Sequence, residues 1–167
     1  APSSALVLGA RATASSALAA LGELGITSST VAARRFGGPG SVVAAASRLG
    51  VTIEQVLWSD AEAVDRAASS ADLVISTLPA SAADPLVERL RVREGQILLD
   101  VVYSPRDTAL RRAFESAGGV VAEGTDMLVF QAGAQVQLMT GRSPDTGVMR
   151  EALEEELERR SREGTAL

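Results

Sequence analysis

Ala5-Leu6-Val7-Leu8-Gly9-Ala10-Arg11-Ala12-Thr13-Ala14 is the stretch on which the reading of this chain turns. Four apolar residues make a short buried strand, and the alanine-rich run beyond Gly9 opens a helix. Strand, glycine turn and helix in that order are the setting in which a Gly-x-Gly-x-x-Gly/Ala turn presents backbone N–H groups to a dinucleotide pyrophosphate. Gly9 and Ala14 fill the first and third places. The second, where a glycine lets the backbone approach the phosphates, is Arg11.

Outward from that turn, apolar runs alternate with helical patterns. A helix over Thr13 to Leu24 closes at Gly25. Thr30 to Ala33 is a second strand, Phe36 to Gly40 a loop, and Ser41 to Leu49 a helix. Val51 to Leu57 is a weaker third strand, followed by an alanine-rich helix to Ser70. Leu73 to Ser76 and Ile97 to Val102 are strands four and five, with a helix from Pro85 to Val92 between them. Thr108 to Ala117 is helical and Val120 to Ala122 is the sixth strand. Asp126 to Thr140 and Asp145 to Ser161 are two closing helices.

Six strands alternating with helices predict an α/β fold, a Rossmann-like doubly wound parallel sheet in the order 3-2-1-4-5-6. Strands one, four and five are apolar enough to be central and fully buried. All 167 residues form one expected domain. In the last helix Met149, Leu153 and Leu157 make an apolar stripe. It either packs on its own domain or faces a second one, and in the latter case leaves a homo-oligomer open.

Composition narrows the chemistry. The chain has no Cys and no His, and its 16 basic residues are all Arg. Disulfides, thiolate nucleophiles, imidazole bases, lysine chemistry and Cys or His metal sites are excluded, and Asp, Glu, Tyr, Ser and Thr remain. No metal site and no catalytic residue are assigned. A net charge of -5 argues against nucleic-acid partners. The chain lacks both a membrane span and a basic-then-apolar leader, and a cytoplasmic location is the expectation.

In a doubly wound sheet, ligands sit beyond the carboxyl ends of the strands. Arg34-Arg35 follow strand two, where an Asp or Glu would bind a ribose 2′-hydroxyl; guanidinium groups suit a 2′-phosphate instead. Ser76-Thr77-Leu78-Pro79 follow strand four, and Asp100-Val101-Val102-Tyr103-Ser104-Pro105 follow strand five. Glu123-Gly124-Thr125-Asp126-Met127-Leu128-Val129-Phe130-Gln131-Ala132 follow strand six.

Together these segments resemble the C-terminal, NADP-binding domain of shikimate dehydrogenases, from Leu6 to about Leu153. The most specific pieces are Leu98-Leu99-Asp100-Val101-Val102-Tyr103-Ser104-Pro105 and the run from Gly124 through Gln131-Ala132 to Thr140-Gly141-Arg142. The resemblance implies NADPH-dependent reduction of 3-dehydroshikimate to shikimate in aromatic amino-acid biosynthesis, with quinate dehydrogenases as relatives. It places Gly9, Ala10, Arg11, Ala12 and Thr13 along the pyrophosphate. Ala33, Arg34 and Arg35 surround the 2′-phosphate, and Thr77 and Pro79 flank the adenine. Val101, Gly124 and Met127 lie at the nicotinamide, and Tyr103 and Gln131 reach the substrate; on the residues alone, Met127 reads more readily as core.

The catalytic Lys and Asp of that family belong to an N-terminal substrate domain, the expected missing partner of this chain. This chain departs from the family at several points. Its turn reads Gly-Ala-Arg-Ala against Gly-Ala-Gly-Gly, predicting a strained or obstructed phosphate site. Gly38 stands where a further Arg is common, and Phe130 where a small residue or His is usual. A non-catalytic binding protein with a degenerate cofactor loop therefore stays open beside the oxidoreductase.

Overall fold

A computed structural model describes residues 2–38 and 40–164. The elements run β1 (Ala5–Leu8), α1 (Ala12–Glu23), β2 (Ser28–Ala33), α2 (Val42–Leu49), β3 (Thr52–Leu57), α3 (Ala61–Ser70), β4 (Leu73–Ser76), α4 (Asp84–Val87), β5 (Ile97–Asp100), α5 (Ala109–Ser116), β6 (Val120–Glu123), α6 (Gly124–Thr140) and α7 (Thr146–Glu163). The six strands form one parallel sheet in the order β3-β2-β1-β4-β5-β6, as the alternation of elements predicts.

Side-chain alternation along the strands splits the core in two. Val7, Val31 and Ile75 point to the face covered by Leu18 and Leu21 of α1 and Val42 of α2. Leu6, Leu8, Val74 and Leu98 point to the other, beneath Val64 of α3, Leu86 of α4, and Leu110 and Phe114 of α5. Each such side chain, taken fully out of water, contributes roughly 1.5–3 kcal/mol. β1 and β4 are buried along their whole length. β5 is not: Ile97 and Leu99 are only half-buried, so its burial alternates, contrary to the expectation of a fully buried strand.

Several boundaries differ from the sequence reading: β2 begins at Ser28 rather than Thr30 and α6 at Gly124 rather than Asp126, and two further differences have a visible cause. The helix expected over Pro85 to Val92 is a single turn, Asp84–Val87. Leu86 and Val92 pack against the same cluster although six residues apart, which places them on different faces of a continuous helix. β5 ends at Asp100 rather than Val102 because the Asp100 carboxylate accepts from Val102 N at 3.2 Å, turning the chain out of the sheet.

α6 and α7 pack on each other. Met149, Leu153 and Leu157 are half-buried there, while Phe130, Leu138, Met139 and Val148 are exposed. Among the described residues no helix is long and apolar enough to cross a membrane.

Candidate functional site

Parallel pairing puts every strand's carboxyl end on one edge of the sheet, and strand order reverses between β1 and β4. A crevice opens at such a reversal. A cleft of about 830 Å³ lies there, lined by Gly9, Ala10, Arg11, Ala33, Arg34, Arg35, Trp58, Thr77, Leu78, Pro79 and Ala82. It thus brings together eight positions singled out from the sequence. Ala12 and Thr13 sit beside it, exposed on the first turn of α1.

The turn is built around Gly9. Its φ is +108°, and a Cβ there would stand 2.3 Å from Thr77 Oγ1. Gly9 N donates to Ala32 O at 2.8 Å. Thr77 N and Thr77 Oγ1 both donate to Leu8 O, at 2.9 and 2.7 Å, locking the ends of β1 and β4 together.

Arg11 departs from expectation. It lies at φ −104°, ψ −165°, an extended conformation open to any residue, and it forms the N-cap of α1. Neither Arg11 nor Ala12 has a positive φ. The expected strain at these positions is absent, because the left-handed conformation falls on Gly9, which is retained. No side chain caps α1 and its first turn carries no acid. Its leading N–H groups and the positive end of its dipole are left to face the cleft.

Charge is concentrated here. Arg11, Arg34 and Arg35 are exposed in the cleft, and among the described residues none forms an ion pair. Arginines elsewhere do pair, Arg89 with Asp65 at 3.0 Å and Arg111 with Glu123 at 3.0 Å for example. Three unpaired guanidinium groups in one crevice of a chain with net charge -5 concentrate positive potential there.

The remaining expected residues gather at the neighbouring ends of β5 and β6. A Cβ on Gly124 would stand 2.6 Å from Val101 O and 2.9 Å from Val102 O, so α6 starts directly against the loop after β5. Tyr103 is half-buried and lines a small cavity with Asp100, Arg106, Glu123, Gly124 and Thr125. Met127 is half-buried and Gln131 exposed, one turn apart on α6. Because Gln131 is exposed, its amide is open to solvent and needs no internal partner. None of these five residues lines the larger cleft.

The loop carrying Tyr103 is fastened at both ends. Asp100, 6% exposed, accepts from Val102 N and from Thr108 Oγ1 at 2.7 Å, and that hydroxyl in turn accepts from Arg111 N to cap α5. Arg106 pairs with Glu123 and with Glu154 of α7. The Arg106 guanidinium holds the Glu123 carboxyl below the usual carboxylate range, helped by Arg111 and Thr125 and opposed by partial burial.

Sequence reasoning missed Trp58, Leu78 and Ala82 as cleft walls, and the anchoring role of Asp100. One signal was present for Trp58: it is the only tryptophan and directly follows a strand.

A family model for the shikimate 5′-dehydrogenase C-terminal domain matches residues 124–154. The NADP(+) shikimate dehydrogenase of Oleidesulfovibrio alaskensis is 34% identical over 147 residues, 83% of this chain and 48% of that one. The crystal structure of Mycobacterium tuberculosis shikimate dehydrogenase superposes with a TM-score of 0.77 at 37% identity, over 87% of this chain and 54% of that one. The chain belongs to the shikimate dehydrogenase family. The quinate dehydrogenase of Corynebacterium glutamicum, in complex with NAD, is also similar, with a TM-score of 0.77 at 25% identity over 91% of this chain and 55% of that one. The chain spans about half the length of these family members.

Proposed function

We propose that this chain is the NADP(H)-binding domain of a shikimate dehydrogenase-like oxidoreductase. The enzyme reduces 3-dehydroshikimate to shikimate in aromatic amino-acid biosynthesis. The observation that carries the reading is the set of three unpaired guanidinium groups around a crevice whose floor only glycine can form. That donor set fits the anionic groups of the cofactor. Arg34 and Arg35 would hold the 2′-phosphate, and Arg11 and the first N–H groups of α1 the pyrophosphate. Val101, Gly124 and Met127 would border the nicotinamide, and Tyr103 and Gln131 the substrate.

The reduced nicotinamide supplies the hydride. This chain's residues bind and orient it, and none is assigned to move the proton. Under the family resemblance, that role falls to a Lys and an Asp of a separate substrate domain, which accords with relatives about twice as long. The chain alone is then expected to bind NADPH without turnover. Joined to such a domain, it is expected to oxidise NADPH with 3-dehydroshikimate. A joined protein that binds NADPH yet reduces neither 3-dehydroshikimate nor 3-dehydroquinate would overturn the assignment.

The reading of a fold that has lost its cofactor rested on Arg11 and Ala12. Their negative φ values weigh against it, since a guanidinium at an unstrained N-cap can meet a phosphate as well as exclude one. A quinate-type relative using NAD is favoured by the likeness to the Corynebacterium glutamicum enzyme. The absence of any acidic residue among those lining the cleft weighs the other way, because NAD sites use one for the ribose 2′-hydroxyl.

A further inference from the structure

Trp58 follows β3 directly, and three constraints hold it. Its backbone N–H donates to Ala33 O at 2.8 Å, placing it beside the residue that precedes Arg34. Two residues on, Asp60 N donates to Leu57 O at 2.9 Å, and the Asp60 carboxylate caps α3 by accepting from Ala63 N at 3.0 Å. The backbone on either side of the indole is therefore fixed. The half-buried side chain packs against the apolar cluster under α3 and also lines the cleft.

Across the cleft, four adjacent strand ends follow one another. Trp58 is at the end of β3, Arg34 and Arg35 at β2, Gly9 to Arg11 at β1, and Leu78 and Pro79 beyond β4. At about 4.8 Å per strand spacing these ends span roughly 14 Å, on the scale of a nucleoside diphosphate. The cations sit between two uncharged walls. The β3 wall is aromatic and rigidly mounted, and among the cleft-lining residues neither Asp nor Glu offers to read a base edge.

We propose that Trp58 is the stacking surface for the purine of the bound nucleotide, with Leu78 and Pro79 bounding the far end of the cleft. Base recognition in this cleft then rests on an aromatic face rather than on hydrogen bonds. This rests on the reading of the cleft as a nucleotide site and adds a residue to it. Trp58 fixes affinity for the adenosine half, and Arg34 and Arg35 fix the preference for its 2′-phosphate.

The test uses adenosine 2′,5′-bisphosphate, which carries the purine, the 2′-phosphate and the adenosine-side 5′-phosphate but no nicotinamide half. Because Trp58 is the only tryptophan, its emission reports on this wall alone. Binding is expected to quench the emission in step with the calorimetric isotherm. Trp58→Leu is expected to weaken binding roughly tenfold to a hundredfold, the range of base–aromatic stacking. Trp58→Phe, which keeps an aromatic face and the core contact, is expected to restore most of it.

Calorimetric binding with no change in emission, and with equal affinity in all three proteins, would overturn the role of Trp58 and leave the nucleotide site standing. Equal losses in Trp58→Phe and Trp58→Leu would make Trp58 a packing residue only. No binding of adenosine 2′,5′-bisphosphate or NADPH by the parent would overturn both the role and the reading beneath it.

Discussion

Gly9 and Thr77 lie so close that a Cβ on Gly9 would stand 2.3 Å from the Thr77 hydroxyl oxygen. The hydroxyl cannot easily retreat, because it is held at 2.7 Å on Leu8 O. The contact ties the turn after β1 to the end of β4, the two strands that flank the crevice. Gly9→Ala therefore meets both a clash and a φ of +108° that alanine rarely adopts. The expected cost is about 2–3 kcal/mol, a fall in Tm of roughly 5–10 °C for a domain of this size. In a thermal-melt cycle with Thr77→Ala, the double variant is expected to be less destabilised than the sum of the singles. Simple additivity would contradict the contact.

Arg34→Ala and Arg35→Ala are each expected to weaken NADPH binding about tenfold while leaving NADH nearly unchanged. A hydrogen bond between charged groups contributes about 1.5–3 kcal/mol. The parent's preference for NADPH is expected to shrink as salt rises, since both guanidinium groups are exposed. Equal loss for both cofactors would place these arginines away from the 2′-phosphate.

Restoring the glycines tests the turn itself. With Arg11 at φ −104° there is no strain to relieve, so Arg11→Gly with Ala12→Gly is expected to weaken NADPH binding several-fold through loss of the guanidinium. A double variant that binds when the parent does not would show that the turn had been disabled.

Much of this was legible beforehand because the deciding signals are local. Apolar runs and glycine punctuation placed all six strands and their order, and the residues following strands one, two and four supplied eight of the cleft's walls. What escaped was tertiary. The turn at Asp100 depends on its own side chain reaching Val102, and the short α4 on Val92 being drawn into the core. Trp58 became a wall through pairing with β2, which spacing along one chain does not show. The glycine turn looked damaged because the pattern names positions, whereas the backbone asks for a left-handed residue at Gly9 only.

Gln96 anchors the far edge of the sheet. It is 2% exposed; its amide N–H groups donate to Ala68 O and Ala71 O at the end of α3, and its carbonyl accepts from Arg93 N. Gln96→Leu removes these bonds from Ala68 O and Arg93 N, while Ala71 O keeps the Arg93 guanidinium, and is expected to cost about 2–3 kcal/mol in denaturant unfolding. A loss below about 0.5 kcal/mol would contradict this role.

Acid stability follows from Glu123, whose carboxyl is held below its ordinary value of 4.5, chiefly by Arg106. A lowered folded-state value gives stability that is complete above pH 4.5 and lost as pH falls through the lower folded value. Glu123→Gln removes that contribution. The stability gap between parent and variant is expected to be widest at neutral pH and to close in acid, as followed by chemical unfolding across pH. A gap that widens in acid would contradict the pairing.

Calorimetric titration of this chain with NADPH and with NADH tests the central claim most directly. The account predicts one NADPH per chain, bound at least tenfold more tightly than NADH. No heat with NADPH, or equal affinity for the two, would contradict it.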